Sequence, residues 1–278
     1  MPRRDGRAVP AVFDSRCPLV FGHRGGLARG PENTLTAFAR AMAFGADGFE
    51  CDVRRSADGV PVVIHDPTLD RTTDATGPVR ARTAAELAAV DATCRFTPAL
   101  AGDEVPAPEG IPALTDALAR FPAARVIVEI KDPEPGFADD VVAVLRRLDA
   151  LSRVCVGSFH QQVLDRVRAA APDVTTSASP GETRWLLVRA RSRWPFAVRP
   201  RFRALQVPVS AGRLRVVSGA FVGRAHREGA TVQVWTVNDP LEVRRLLALG
   251  VDGIISDRPD AALKERDAMA PPSSLSSR

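Results

Sequence analysis

Two acidic residues in one predicted strand are the first sign of chemistry in this chain. Glu50 and Asp52 are two residues apart in the sequence GFECDV. Side chains two apart on a strand point to the same face, so the two carboxylates repel each other unless a positive charge lies between them. A hard divalent cation takes oxygen ligands, and the pair therefore predicts a metal site.

A third carboxylate occurs in another apolar strand pattern, VIVEIK, where Glu129 and Lys131 share a face. The lysine is unusual, because only two of the 38 basic residues are lysine, Lys131 and Lys264. A compact ammonium kept beside a glutamate in an arginine-rich chain indicates a point charge that faces a phosphate oxygen or a leaving group.

Two histidines follow short apolar runs and stand near these acids. His23 follows the run LVFG and precedes Arg24 and two glycines, so we expect it at the carboxyl end of a buried strand. His65 ends a run that an Asp-Gly turn signal separates from the Glu50 strand. If the two runs form a hairpin, His65 lies roughly opposite Glu50. Together these side chains are the parts of a metal-assisted phosphate-ester site.

The order of these blocks closely resembles the glycerophosphodiester phosphodiesterase family. The motifs that carry the resemblance are HR, PENT, ECD, HD, RTT and EIK, followed by VWTVN and GVDGIISD. The resemblance extends from about Leu19 to about Leu263. It implies hydrolysis of a glycerophosphodiester to sn-glycerol 3-phosphate and an alcohol, and it implies that the last two blocks are the final barrel strands.

The residue types and the resemblance lead to one predicted site. The cation, Ca²⁺ or Mg²⁺, is expected on carboxylate ligands, and the histidines are expected to act as base and acid in an order that the sequence leaves open. The positive side chains of Arg24 and Lys131 either balance the acids, bind phosphate oxygens, or do both. Trp235, at the end of a strand, is either a core residue or a wall that contacts glycerol. The metal ligands are Glu50, Asp52 and Glu129; the catalytic residues are His23 as base and His65 as acid; the substrate-binding residues are Arg24, Lys131 and Trp235.

Supporting roles are predicted for several neighbouring residues. Asn33 is expected to cap the first helix, and Glu32 to support the neighbouring arginine. Asp66 and Asn238 are candidates for orienting other site residues. His160 and His226 lack a comparable setting, and we expect both to be structural or on the surface.

Two other functions stay open. One is a lysophospholipase D-type phosphodiesterase, in which an insertion at about 66–114 and the arginine-rich stretch 184–203 accommodate an acyl chain. The other is a non-catalytic barrel that only binds glycerol phosphates, and it is disfavoured because none of the predicted ligands and histidines is missing. The stretch 184–203 could also face a membrane, although an exposed helix at the far end of the barrel is favoured.

The composition limits the class of protein. The chain has 278 residues, a net charge of +5 and 45% hydrophobic residues, which suits a single barrel domain over residues 17–265. No export signal or membrane span is recognisable, so we expect a cytoplasmic protein. Four cysteines without CxxC spacing indicate reduced thiols. Nucleic acid is disfavoured as a partner, because the chain has no tyrosine and few aromatic residues.

The elements that must position these residues alternate between apolar runs and helical patterns. This alternation predicts an α/β fold, a TIM-type (β/α)8 barrel with a small insertion between strand 2 and the following helix. We expect a ninth strand at 62–64, a short helix near 84–90 and a disordered tail at 266–278. The predicted barrel strands are 19–22, 48–53, 126–130, 154–156, 174–177, 204–207, 231–235 and 253–256; the predicted helices are 35–44, 137–148, 161–170, 182–193, 220–227, 240–249 and 260–265.

Overall fold

The computed structural model describes residues 9–99, 105–192, 196 and 198–269. Eight parallel strands follow one another in the order β6–β5–β4–β2–β1–β11–β10–β7. A bridge between Ser177 and Ala204 brings the two ends of this sheet together, so the sheet is a nearly closed TIM-type barrel, as predicted. The strands are β1 (Leu19–Gly22), β2 (Gly48–Arg55), β3 (Pro61–Val63), β4 (Arg125–Ile130), β5 (Val154–Gly157), β6 (Thr175–Thr176), β7 (Ala204–Pro208), β8 (Ser210–Ala211), β9 (Leu214–Arg215), β10 (Thr231–Trp235) and β11 (Gly253–Ser256).

Helices connect most of the barrel strands, and every predicted helix is present, with ends that differ from the prediction by at most four residues. Their apolar faces pack against the outer face of the sheet. The barrel strands are therefore buried on both faces, by the helices outside and by the side chains of the barrel interior inside. The helices are α1 (Leu35–Ala43), α2 (Ala84–Ala88), α3 (Leu114–Arg120), α4 (Phe137–Arg147), α5 (Gln161–Ala170), α6 (Pro180–Arg191), α7 (Gly219–Arg227), α8 (Pro240–Ala248) and α9 (Pro259–Met269).

The predicted start of the tail at residue 266 is wrong. Helix α9 continues to Met269, because Arg266 is 5% exposed and its guanidinium lies 2.6 Å from Oδ2 of Asp47. This partly buried ion pair holds the last turns of the helix against the barrel. Residues 270–278 of the predicted tail lie outside the described residues.

The insertion after β2 forms a small unit with a core of its own. Strand β3 pairs antiparallel with β2 at Val53 and Val63, which confirms the predicted hairpin. Behind it, apolar side chains of the segment that includes α2 pack together, among them Leu69, Val79 and Leu87. The segment therefore packs as a compact unit against the β2–β3 hairpin.

Two features between β6 and β10 differ from the sequence prediction. Strands β8 and β9 form a short hairpin that was not predicted, because its residues are exposed and show no apolar alternation. The arginine-rich stretch is not a purely exposed face, since Arg189 is 4% exposed and lies 2.6 Å from Glu228. Residues 193–195 and 197 of that stretch lie outside the described residues.

The remaining composition-based expectations concern thiols and membrane spans. The four cysteines are free, and Cys51 and Cys155 are buried in the strands that contain them. Among the residues that the structure describes, no helix combines the length and the apolar character needed to cross a bilayer.

Candidate active site

A cavity of about 210 Å³ opens at the carboxyl ends of the barrel strands. The eight side chains that the sequence predicts for the site all line it, together with four that were not predicted. Barrel enzymes place their chemistry at this end because the βα loops meet there. The predicted residues are His23, Arg24, Glu50, Asp52, His65, Glu129, Lys131 and Trp235, and the others are Ile127, Phe159, Gln206 and Ile255.

Three carboxylates converge in this cavity. Strands β2 and β4 are adjacent with Asp52 level with Glu129, and Glu50 is on the same face of β2 two residues earlier. One oxygen from each residue lies within 4.8 Å of the others. Burial, and then the charge of Asp52, raises the pKa of Glu50 to about 8. This all-oxygen set fits a hard divalent cation such as Ca²⁺ or Mg²⁺, because the cation would compensate the buried negative charges and their repulsion.

Two protein cations are already in contact with the carboxylates. The Nζ atom of Lys131 lies 3.0 Å from Asp52 and 2.8 Å from Glu129. The Nε atom of Arg24 lies 3.3 Å from Asp52. Burial alone would raise the pKa of Asp52, but Lys131 and Arg24 outweigh it and lower this pKa.

A tight turn after β1 directs Arg24 into this cluster. Arg24, Gly25 and Gly26 all have positive φ angles, of 49°, 89° and 93°. A Cβ atom on Gly25 would lie 2.7 Å from the Cβ of Ala37 in α1, so only glycine fits there. The turn aims the backbone N–H of Arg24 at Oε2 of Glu50, to which it donates at 2.9 Å.

His23 stands at the carboxyl end of β1, as predicted, and a carboxylate orients its ring. The Nδ1 atom lies 2.7 Å from Oδ1 of Asp257, whose other oxygen accepts a hydrogen bond from the Asn238 amide. Burial lowers the pKa of His23, but the Asp257 hydrogen bond and the charge of Glu50 outweigh it and raise this pKa. Asp257 was not among the predicted site residues; its signal in the sequence was its position directly after a barrel strand.

His65 has the same arrangement on the other side of the cavity. Its Nδ1 atom lies 2.6 Å from Oδ1 of Asp66, the adjacent residue, and Arg71 donates to Oδ2 of Asp66 at 2.6 Å. Continuing the hairpin register places Cys51, and not Glu50, opposite His65. This shift of one residue from the prediction leaves His65 in the cavity. Both histidines therefore have Nδ1 held by a carboxylate, which leaves Nε2 for chemistry.

Two neighbouring residues have roles that only partly match the prediction. Glu32 accepts a hydrogen bond from Arg24 at 2.9 Å, as expected. Asn33 is not the cap of α1, because its φ of 60° is not the extended backbone of a cap; Thr34 is the cap and accepts from the N–H of Ala37. The Asn33 side chain instead donates to Asp52 at 2.9 Å and so holds a predicted metal ligand.

The tryptophan at the end of β10 forms part of the cavity wall. Trp235 meets Phe159 edge to face, with ring centroids 6.3 Å apart. Trp235 is half-buried, and it both lines the cavity and packs against the apolar cluster inside the barrel, so the two predicted roles stay open. Phe159, in the loop after β5, had no signal in the sequence beyond its place after a strand.

The sequence of this chain is similar to those of one family of known proteins. The model of the glycerophosphoryl diester phosphodiesterase family matches residues 23–261. A glycerophosphodiester phosphodiesterase from Caldanaerobacter subterraneus is 31% identical over 252 residues, which cover 88% of this chain and 96% of that protein.

Two solved structures share the barrel. A glycerophosphodiester phosphodiesterase from Agrobacterium tumefaciens superimposes with a TM-score of 0.71 at 28% identity, over 89% of this chain and 99% of that chain. An Oleispira antarctica phosphodiesterase, solved in complex with the product sn-glycerol-3-phosphate, has a TM-score of 0.71 at 25% identity, over 90% and 97% of the two chains. The chain therefore belongs to the glycerophosphoryl diester phosphodiesterase family, and it is an enzyme of that class.

Proposed function

We propose that this protein hydrolyses glycerophosphodiesters to sn-glycerol 3-phosphate and an alcohol. The observation that carries the proposal is the pair of carboxylate-held histidines, His23 and His65, facing a cluster of three carboxylates in one cavity. The Oleispira antarctica relative that binds sn-glycerol-3-phosphate supports the nature of the product.

Glu50, Asp52 and Glu129 are the residues that would hold the divalent cation. When bound, Ca²⁺ or Mg²⁺ supplies Lewis-acid stabilisation of phosphate charge and lowers the pKa of a coordinated hydroxyl. The positive side chains of Arg24 and Lys131 lie beside this cluster. There they can bind the non-bridging phosphate oxygens while still balancing the acids, so the counter-charge and clamp roles are compatible.

The two histidines divide the proton transfers between them. We keep His23 as the base. When its ring takes a proton from the nucleophile, Asp257 stabilises the imidazolium that forms. We assign His65 as the acid that protonates the departing alkoxide. Asp66 and Arg71 orient its ring, so that Nε2 can donate toward the leaving oxygen.

A turnover screen tests this function. Glycerophosphodiesters with choline, ethanolamine, inositol and glycerol headgroups are incubated with the enzyme in Ca²⁺, in Mg²⁺ and in excess chelator, and sn-glycerol 3-phosphate is measured. We expect metal-dependent release of this product from at least one diester. Binding of glycerol phosphates without turnover of any diester would instead favour the non-catalytic barrel.

A further inference from the structure

A second cavity, of about 330 Å³, adjoins the catalytic cavity. The two share Glu129, Phe159, Gln206 and Trp235 in their walls. The second cavity extends away from the carboxylates, between the ends of β5 to β7, the start of α6 and the β8–β9 hairpin. A substrate whose phosphate lies among the three carboxylates can therefore continue into it without crossing a wall.

The lining of the second cavity offers mainly apolar contacts. Several of its polar side chains already have partners within the protein. Ser158 donates to the carbonyl of Ile130 at 2.8 Å, and the amide nitrogen of Gln206 contacts the sulfur of Cys155 at 3.4 Å. The lining also includes Glu129, Thr183 and Arg184; away from these side chains, a polar headgroup would lose hydration with little replacement. The apolar wall includes Ala178, Leu187, Val207, Pro208, Leu214 and Val216.

The cavity is open to solvent at an apolar rim. Phe159 is 55% exposed and Leu214 is 41% exposed, although both are large hydrophobic side chains. Leu214 belongs to the exposed β8–β9 hairpin, which has no evident part in the barrel core. Exposed apolar groups around an open apolar cavity mark a ligand site more often than a packing defect.

We propose that this cavity binds the hydrocarbon chain of a phosphodiester whose phosphate lies in the catalytic cavity. The inference rests on the proposed function and narrows it to lipid-derived substrates. The chain is either an acyl group on the glycerol, as in a lysophospholipid, or an alkyl group on the alcohol. An acyl chain was predicted to lie against both the insertion 66–114 and the arginine-rich stretch 184–203. Among the residues that the structure describes, none of the insertion lines this cavity, whereas Arg184 and Leu187 of the stretch do.

The test measures binding and turnover in two homologous series below their critical micelle concentrations. One series is lysophosphatidylcholine from butanoyl to decanoyl, and the other is glycerol 3-phosphate esterified with n-alcohols of matching length. Binding is measured by calorimetry with metal-loaded His65→Ala enzyme, and kcat/KM with the wild type. We expect affinity to rise on the order of fourfold per methylene, equivalent to about 0.8 kcal/mol each, in at least one series until the cavity is filled.

Two matched substitutions, made in the same background, locate the chain. Leu214→Asp puts a carboxylate into the apolar wall and should flatten the dependence on chain length. Leu241→Asp makes the same change at a side chain that is 71% exposed on α8 and lines neither cavity, so the dependence should stay as in the parent. Melting curves check that each variant folds. If Leu214→Asp does not fold, Ala211→Trp replaces it, because it fills the mouth from the same hairpin.

The outcomes separate the two proposals. Affinity that does not change with chain length in either series overturns the chain site, even if glycerophosphocholine is hydrolysed. A chain-length gain that Leu214→Asp removes supports the site, even if no diester is turned over and the proposed function fails. The series that shows the gain identifies which side of the phosphate carries the chain. A gain that Leu214→Asp leaves intact, or that Leu241→Asp removes equally, places the chain elsewhere and also overturns the site.

Discussion

The Nδ1 atom of His23 lies 2.7 Å from Oδ1 of Asp257, although 234 positions separate the two residues in the chain. The contact exists because β1 and β11 are neighbours in register, with Gly22 level with Ser256. His23 follows β1 and Asp257 follows β11, so the pairing of these two strands brings the two side chains together. A histidine held in this way keeps one tautomer and one ring orientation.

Replacing Asp257 tests this relationship. Asp257→Asn should lower kcat by roughly one to three orders of magnitude, because the amide cannot stabilise the imidazolium. Asp257 also raises the pKa of His23, so the pH at which activity falls on the acid side should move lower in the variant. The pH profile of kcat is the measurement, and Asp173→Asn, at an exposed position between α5 and β6, is the control. An unchanged profile with unchanged kcat would show that Asp257 is only structural.

Removing either histidine should remove most of the activity. His23→Ala and His65→Ala should each reduce turnover by roughly two to four orders of magnitude near neutral pH while metal binding stays nearly intact. An aryl phosphodiester, whose leaving group needs no proton, separates the two roles. Recovery of rate in His65→Ala supports His65 as the acid, and recovery in His23→Ala reverses the assignment. Two variants that stay active on natural substrates would rule out acid–base catalysis by this pair.

Chelation should abolish turnover without unfolding the protein. The three carboxylates lie at the open mouth of the barrel, whereas the apolar cores lie between the strands and helices. We therefore expect the circular dichroism spectrum to be retained in excess chelator while activity is lost, and readdition of Ca²⁺ or Mg²⁺ to restore it. Full turnover in excess chelator would exclude a metal role.

Metal affinity should depend on pH through Glu50. Because the pKa of this carboxyl in the metal-free protein is raised to about 8, it holds a proton below that pH, and a cation must displace the proton. Apparent affinity should therefore rise with pH, by up to about tenfold per unit for each proton displaced, and level off above the pKa. Calorimetric titrations over a pH series measure this. Affinity that is independent of pH between 5 and 8 would contradict the raised pKa of about 8.

Amide substitutions test whether each of the three carboxylates is a metal ligand. Glu50→Gln, Asp52→Asn and Glu129→Gln should all weaken metal binding, and a variant that binds as tightly as wild type removes that residue from the ligand set. Glu50→Gln should also flatten the pH dependence of affinity. The exposed Glu134→Gln, which lies outside the cavity, is the matched control.

The stability of the chelated protein gives an independent readout for Glu50. Its folded pKa of about 8 exceeds the unfolded value of 4.5, so the folded state loses stability as pH rises between these values. Glu50→Gln removes this loss. The chelated variant should therefore melt at a higher temperature than chelated wild type at pH 8, and the difference should shrink toward pH 5. An equal melting temperature at both pH values would contradict the prediction.

The sequence alone determined the local parts of this site. The strand period of two placed Glu50 and Asp52 on one face, and apolar runs that end in a histidine placed His23 and His65 at strand ends. The alternation of strand and helix patterns was enough for the barrel. These features depend on residues that are close in the chain, so periodicity and turn signals report them.

Only the tertiary structure decided which strand ends meet. The pairing of His23 with Asp257 and the contact of Lys131 with Asp52 follow from the strand order around the barrel, and no local pattern encodes that order. The aromatic wall of Phe159 and Trp235 and the apolar cavity beside it likewise arise from loops that are distant in sequence. A loop residue carries no periodic signal of its own, because its role depends on the neighbours that barrel closure brings to it.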